Sequence, residues 1–391
     1  MPTPNMNRLH VIILGACNSG KSSIINLLTG QHTSLVSATP GTTTDPVRKA
    51  MELPGAGPCV LIDTAGFDDS TGLGKERVEL TLKALDEADM ALLLVGENPG
   101  EEAHWRELLK GRGIPCAEIA GKSDSGVADA GRETPSGAIP VSTINDPDRS
   151  RTRLIETILR TLPPDYGTRS LTGDLAKEGD IVVLVMPQDS SAPKGRLILP
   201  QVQTIRDLLD KGAIPVCTVP EKLKDTLAAL VSAPALIITD SQAFAKVQPS
   251  VPHGVSLTSF SVLMAACKGD IRYFAESARA IASLTPASRV LIAEACTHAP
   301  QTEDIGRVKI PALLRKRVGQ GLKIDHVSGR DFPDDLTGYD LVIHCGGCMF
   351  NRSYQLSRVA KSKAQGVPMT NYGITIAYLT GILSEVTLPE A

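Results

Sequence analysis

Apolar residues arrive in two rhythms along this chain. "LHVIIL" is a continuous run of strand length, and after a Gly-bounded turn Ile24, Ile25, Leu27 and Leu28 fall at helical spacing. The apolar run "VLID" predicts another strand, and Leu154 to Leu162 predicts a helix that closes the first domain. "LPPDYG", residues 162–167, is a Pro/Gly break. The pattern then restarts: "DIVVLVMPQD", a helix-like "LPQVQTIRDLLDKG", "IPVCTVP", a helical run to Leu230 and "PALIITDSQAF" read as strand, helix, strand, helix, strand. From about Asp270 comes a helix around "IRYFAESARAIASL", a strand "RVLIAEACTHAP", a basic amphipathic helix through Leu313 to Arg317, and the strand "YDLVIHCGGC". The expected fold is α/β with three domains over residues 1–165, 166–269 and 270–391. An N-terminal P-loop domain is followed by two smaller α/β units with mainly parallel sheets.

Composition narrows the partners. A chain of 391 residues is comfortable for two or three cores of ~100–200 residues each. Lys+Arg 40 against Asp+Glu 43 leaves no electrostatic footprint for nucleic acid or an acidic membrane surface, and at 3% aromatics stacking platforms are scarce. The opening "MPTPNMNRLHVIILG" lacks the pattern of a signal peptide, and no apolar run approaches the ~20 residues that span a bilayer. A cytoplasmic protein is expected. In a reducing compartment, close-set members of its 8 cysteines point to metal or redox chemistry rather than disulfides.

The first turn carries chemistry of its own. Gly15 to Ser22 fits G-x-x-x-x-G-K-[ST]: Gly15 and Gly20 let backbone N–H groups close around phosphate oxygens, Lys21 supplies a point charge, and Ser22 can ligate Mg²⁺. Ser23 joins the same phosphate-binding group. "VLIDTAGFDD" delivers Asp63 to a strand end, where a carboxylate holds the metal through water, and puts the Gly66 N–H within reach of a γ-phosphate. Between them "ATPGTTTDPV" is a Thr-rich loop suited to closing over Mg²⁺.

These stretches resemble the G1, G2 and G3 motifs of small GTPase domains, and "GTTTD" is similar to the box of the tRNA-modification (TrmE/Era-like) branch. The resemblance implies GTP and GDP as ligands, Thr43 as a second Mg²⁺ ligand and Asn18 as a residue that helps hold K⁺ beside the phosphates. Phe67 stands where a Ras-like GTPase carries its water-orienting Gln, so intrinsic turnover is expected to be slow. The base-reading N-K-x-D becomes "GKSD": Lys122 and Asp124 are kept and the Asn is replaced by Gly121. Ser142 in "PVSTIN" lies where the last GTPase motif is expected.

At the other end Cys345-Gly-Gly-Cys348 has the spacing for two sulfurs to reach one centre, with glycines that let the backbone curl around it. Cys296 and His298 leave one strand end; His344, Cys345 and Cys348 leave another. Three thiolates plus a nitrogen, oxygen or open position fit either zinc or an iron–sulfur cluster with an incomplete cysteine set, and a bare thiol redox pair is a third reading.

C-x-H, 45 intervening residues, then H-C-x-x-C resembles the metal signature of the HydF-type [FeFe]-hydrogenase maturation GTPases, and "APKGRLILPQVQTIRDLLDKGAIPV" resembles their middle domain. The resemblance covers essentially the entire chain. It implies a GTPase domain, a dimerisation domain and a [4Fe-4S]-binding domain in that order. Cys296, Cys345 and Cys348 are then cluster ligands, His298 and His344 are motif positions and possible ligands, and Glu294 and Asp304 are nearby carboxylates for the fourth iron site. It also implies a regulatory GTPase, a homodimer, and apo-[FeFe]-hydrogenase and radical-SAM maturases as partners. The competing reading is a translation- or RNA-modification-linked GTPase with a structural zinc site. A thiol oxidoreductase using Cys345 and Cys348 leaves Cys296 and His298 without a role.

Other residues have plainer expectations. Lys194 and Arg196 read as a solvated turn, Cys217 as a buried small hydrophobe, Cys59, Cys116 and Cys267 as core, and Cys17 as a permitted small residue of the P-loop. Trp105 is expected to pack, and Tyr372 either to line the sulfur site or to sit in an ordinary helix start. An exposed edge of the middle sheet would favour pairing with a second copy.

Overall fold

The computed structural model describes residues 8–30, 46–67, 74–121, 137–163, 166–167, 169–188, 195, 197–295 and 304–390. Contacts divide the chain into two compact units, residues 1–168 and 169–391.

In the first unit β1 (Leu9–Leu14) is buried at every position. It is followed by α1 (Lys21–Thr29), β2 (Val47–Leu53), β3 (Gly57–Asp63), α2 (Gly74–Ala84), β4 (Met90–Val95), α3 (Pro99–Gly111), β5 (Cys116–Ala120), β6 (Ile139–Pro140) and α4 (Pro147–Thr161). The sheet runs β2-β3-β1-β4-β5-β6 and is parallel except for β2, which pairs antiparallel with β3. Its alternation follows the pleat: Leu9, Val11 and Ile13 face a core shared with Ile24, Leu28, Leu154 and Ile158, while Ile12 and Leu14 face Phe67, Trp105 and Leu109. Helix α4 starts at Pro147, earlier than the apolar run that signals it, because its first turns, "PDRSRTR", are polar and mostly solvated.

The second unit holds two sheets. The first is built from β7 (Ile181–Val185), α5 (Leu199–Asp210), β8 (Ile214–Thr218), α6 (Leu223–Ala229), β9 (Leu236–Thr239), α7 (Phe244–Val247), β10 (Ser256–Ser259) and α8 (Phe260–Lys268). The second follows with α9 (Ile271–Ser277), β11 (Arg289–Glu294), α10 (Ile310–Val318), β12 (Lys323–Ser328), β13 (Leu341–His344), α11 (Arg352–Ala364), β14 (Met369–Asn371) and α12 (Tyr372–Leu379). The strand orders are β10-β9-β7-β8 and β12-β11-β13-β14, all parallel. Both sheets therefore share one winding, with the first strand between the second and the third. The crevice between first and third strands is where open α/β sheets leave room for a ligand. One continuous core joins the two: Val183, Ile237 and Leu257 pack in the same cluster as Phe274, Ile292, Val342 and Met369.

The edges of the first of these sheets differ. At β10, Val386 forms a parallel bridge with Leu257 and the Thr387 N–H donates to the Leu257 carbonyl at 2.7 Å. Strand β8 pairs only with β7 among the described residues, and Ile214 is 52% exposed. Cys217, expected in the core, lies on β8 and is exposed. The apolar pattern of a strand does not tell an edge from a centre, and on this edge the outer side chains meet solvent.

Candidate functional site

The nucleotide crevice forms at the carboxyl ends of β1 and β3. Asn18 adopts φ 59° and Gly20 φ 104°, which curls the loop so that α1 opens with Lys21. The Lys21 ammonium is buried and donates to the carbonyls of Gly15 (3.0 Å) and Ala16 (2.7 Å). The Ser22 hydroxyl donates to Asp63 Oδ2 at 3.0 Å, so the hydroxyl and carboxylate that would flank a Mg²⁺ ion stand together. Burial raises the Asp63 pKa against the opposing pull of Ser22 and then Lys21.

Glycine is required where the two segments meet. A Cβ on Gly66 would lie 2.4 Å from Cys17 Sγ and 2.5 Å from its amide nitrogen, so only glycine brings the Gly66 N–H against the phosphate loop. Phe67 is buried and stacks on Trp105 with ring centroids 6.0 Å apart. Its side chain is a core anchor, turned to α3 instead of to a water molecule. At Gly121, where an asparagine was expected, a Cβ would sit 3.0 Å from the Ser19 carbonyl oxygen, a tight approach to the phosphate loop. Ser142 follows β6, and its hydroxyl accepts from the Asn145 and Asp146 N–H groups at 3.0 and 3.2 Å, bracing the turn into α4. Ser23 lies exposed on the first turn of α1. Thr43, Lys122 and Asp124 lie outside the described residues.

The sulfur site forms in the matching crevice of the last sheet. Strands β11 and β13 are neighbours there, ending in Glu294 and His344. Cys345 continues β13, its N–H donating to the Ala293 carbonyl at 2.9 Å. Its Sγ accepts two backbone N–H groups, from Ala295 at 3.0 Å and Gly347 at 3.4 Å. Gly347 adopts φ 64°, and a Cβ there would meet Gln355 Oε1 at 2.2 Å. Burial and the neighbouring Cys348 sulfur push the Cys345 thiol up to about 11, while the Gly347 and Ala295 N–H groups pull it down. Two buried cations stand near. Arg358 lies over the rings of Phe350, Phe332 and Tyr354, with its carbon 4.6 to 4.7 Å from their centroids. Lys268 donates to the carbonyls of Gly347 and Phe350, and burial lowers its pKa to about 8 against the pull of Cys348, Cys267 and Cys345. The N–H donors and buried positive charge favour a thiolate here, while burial favours the neutral thiol.

His344 is not placed as a ligand. Its Nε2 accepts from Arg358 Nη1 at 2.8 Å, and a guanidinium only donates, so the ring proton sits on Nδ1 and is donated to the Cys345 carbonyl at 2.7 Å. Burial, with Arg358 behind it, lowers the His344 pKa to about 3. The ring therefore pins the Cys345 peptide. The carboxylates have duties too: Glu294 Oε1 accepts from the Tyr372 hydroxyl (3.3 Å) and Oε2 from Arg307 (3.3 Å) and Ser328 (3.4 Å), while Asp304 Oδ1 accepts from the Arg307 N–H (2.8 Å). Tyr372 thus reaches the crevice, and Asn371 caps α12 by accepting from the Ile374 N–H. Cys296 and His298 lie outside the described residues, as do Lys194 and Arg196, and no group of three or more metal-capable side chains forms among the described ones.

Lys268, Gln355 and Arg358 escape a reading of the sequence. Lys268 ends an apolar helix, where a basic residue is ordinarily a solvated partner of the helix dipole. Gln355 and Arg358 share the buried face of α11 with Val359 and Ser362, and this polar stripe at helical spacing is the one signal that could have exposed them.

Models of the hydrogen maturase F dimerization and tetramerization domains match residues 171–269 and 272–389, and a 50S ribosome-binding GTPase model matches residues 10–120. The chain is 36% identical over 119 residues to the tRNA modification GTPase MnmE of Chromobacterium violaceum, covering 30% of this chain and 26% of that one. It is 42% identical over 99 residues to the GTPase Der of Chloroflexus aurantiacus, covering 24% and 22%. The chain thus spans about a quarter of the length of these curated relatives. Among solved structures, a variant of Aquifex aeolicus Era bound to GDP and aluminium fluoride aligns with a TM-score of 0.32 and 20% identity, covering 56% of this chain and 97% of that one. No helix among the described residues is long and apolar enough to cross a membrane. With a GTPase domain followed by both hydrogen maturase F domains, the chain belongs to the HydF-type hydrogenase maturation GTPases.

Proposed function

We propose that the chain is a GTP-hydrolysing scaffold that carries the di-iron precursor of the hydrogenase active site to apo-[FeFe]-hydrogenase, receiving it through radical-SAM maturases in the cytoplasm and binding no nucleic acid. Cys296, Cys345 and Cys348 hold a [4Fe-4S] cluster whose fourth iron keeps an exchangeable ligand, which lets a bridging group attach without breaking a thiolate bond. The observation that carries this reading is the Cys345 sulfur, aimed at a strand-end crevice with two backbone N–H donors. His344 and Arg358 hold the peptide and charge behind it. In the first unit Lys21 steadies the phosphates, Ser22, Thr43 and Asp63 hold Mg²⁺, and Gly66 answers the γ-phosphate. By the motif match, Lys122, Asp124 and Ser142 would read the base. In a defined mixture with the maturases and apo-hydrogenase, the loaded chain should restore hydrogen evolution. The proposal fails if the Cys345→Ser variant restores it equally.

Phe67 cannot orient water from its place against Trp105, so hydrolysis leans on another group. Asn18, exposed and held at φ 59°, is the residue we assign to a K⁺ contact beside the phosphates. Exchange of K⁺ for Na⁺ should slow turnover about tenfold, or ~1.4 kcal/mol of barrier. Equal rates in the two salts would withdraw this role from Asn18.

A homodimer through the middle sheet fits the open edge of β8, flanked by the exposed Val202 and Leu209 of α5. A lysine on such an edge blocks strand pairing. Ile214→Lys should weaken self-association at least about tenfold in sedimentation, or ~1.4 kcal/mol. An unchanged dimer would move the interface elsewhere.

A further inference from the structure

The end of α8 and the cysteine loop grip each other. Lys268, the last residue of α8, is 5% exposed and sends its ammonium to the Gly347 carbonyl at 2.8 Å and the Phe350 carbonyl at 2.6 Å. Those two carbonyls flank Cys348 in sequence. In the reverse direction Arg352 Nη1 donates to the Cys267 carbonyl at 2.9 Å, with the Gly269 carbonyl at 3.5 Å. The domain model that matches residues 171–269 ends with α8, and the one that matches residues 272–389 contains the cysteine loop. The loop around Cys348 is therefore shaped by a side chain from the domain before it.

An ordinary C-terminal lysine faces solvent and the last carbonyls of its own helix. This one instead reaches oxygens 79 and 82 residues away in sequence. Burying an ammonium is unfavourable unless hydrogen bonds and opposite charge compensate it. Two carbonyls meet the first need. An anionic sulfur centre at Cys345 and Cys348 would meet the second.

We propose that Lys268 is a positioning residue of the sulfur site: it fixes the backbone on both sides of Cys348 and supplies, from the middle domain, positive charge that balances bound thiolates. This rests on the reading of Cys345 and Cys348 as metal ligands. It follows that the middle domain helps to set the reduction potential of a centre held in the last one. Removing a nearby positive charge disfavours the more negative, reduced form, so the potential falls.

The test uses the full-length chain as wild type, Lys268→Met, which loses charge and donors, and Lys268→Arg, which keeps both. In metal-free protein, hydrogen exchange of residues 345–351 should be at least about fivefold faster in Lys268→Met than in wild type and return toward wild type in Lys268→Arg. After anaerobic loading with iron and sulfide, the midpoint potential of Lys268→Met should be more negative, that of Lys268→Arg close to wild type, and GTP turnover the same in all three. Unchanged exchange in Lys268→Met overturns the positioning role, and an unchanged potential overturns the charge role. A wild type that takes up no iron sinks the ligand reading, while the exchange measurement still decides what Lys268 does to the loop. Where Lys268→Met does not accumulate folded, Lys268→Gln, neutral but still a donor, takes its place with the same expected fall in potential.

Discussion

Cys345→Ser, reconstituted without oxygen, should retain less than about a quarter of the iron and sulfide of the parent, because thiolate is the effective cluster ligand and a serine hydroxyl at neutral pH is not. The substitution is mild for the fold. Serine keeps an acceptor near the Ala295 and Gly347 N–H groups, and the strand continuation through the Cys345 N–H to Ala293 is a backbone contact that survives. GTP turnover should stay within about twofold of the parent, since Cys345 belongs to the unit of residues 169–391 and the phosphate loop to that of residues 1–168. Iron and acid-labile sulfide assays beside a phosphate-release assay check both halves. Unchanged iron would remove Cys345 from the ligand set, and lost turnover would mean that the two chemistries are not separable.

Lys21→Ala should produce the opposite pattern, with GTP turnover down about 10²- to 10³-fold, the range seen when one preorganised donor to developing charge is removed. Lys21 Nζ donates to Gly15 and Ala16 carbonyls, partners it can exchange for phosphate oxygens as the nucleotide enters. Losing those two bonds costs on the order of 1–2 kcal/mol of stability, too little to unfold a unit whose β1 and β4 are buried throughout. Iron content should match the parent. Phosphate release, a melting curve and an iron assay on one preparation test the prediction, and a normal turnover would contradict the placement of the phosphates.

The phosphate loop was legible because its chemistry is local: strand, glycines, lysine and serine lie within one turn, and Asp63 needs only the end of an apolar strand to be found. The alternation of strands and helices was legible for the same reason. What escaped depends on distant packing. Whether Cys217 is covered depends on the position of β8 in the sheet, and how closely Ser19 approaches Gly121 is set by the fold and not by the motif. His344 looks like a ligand beside two cysteines until Arg358, on the following helix, takes its Nε2. Lys268 belongs to the site through contacts 79 and 82 residues away, which no motif window spans.

Whether the crevice at Cys345 holds iron and sulfide is decided by metal analysis of the wild-type chain purified and reconstituted without oxygen. About four iron and four sulfide per chain are expected, with an EPR signal after reduction that shifts when imidazole or cyanide is added. Stoichiometric zinc that persists through reconstitution, with no iron, would instead make the cysteine loop a structural staple and remove the cluster from this crevice.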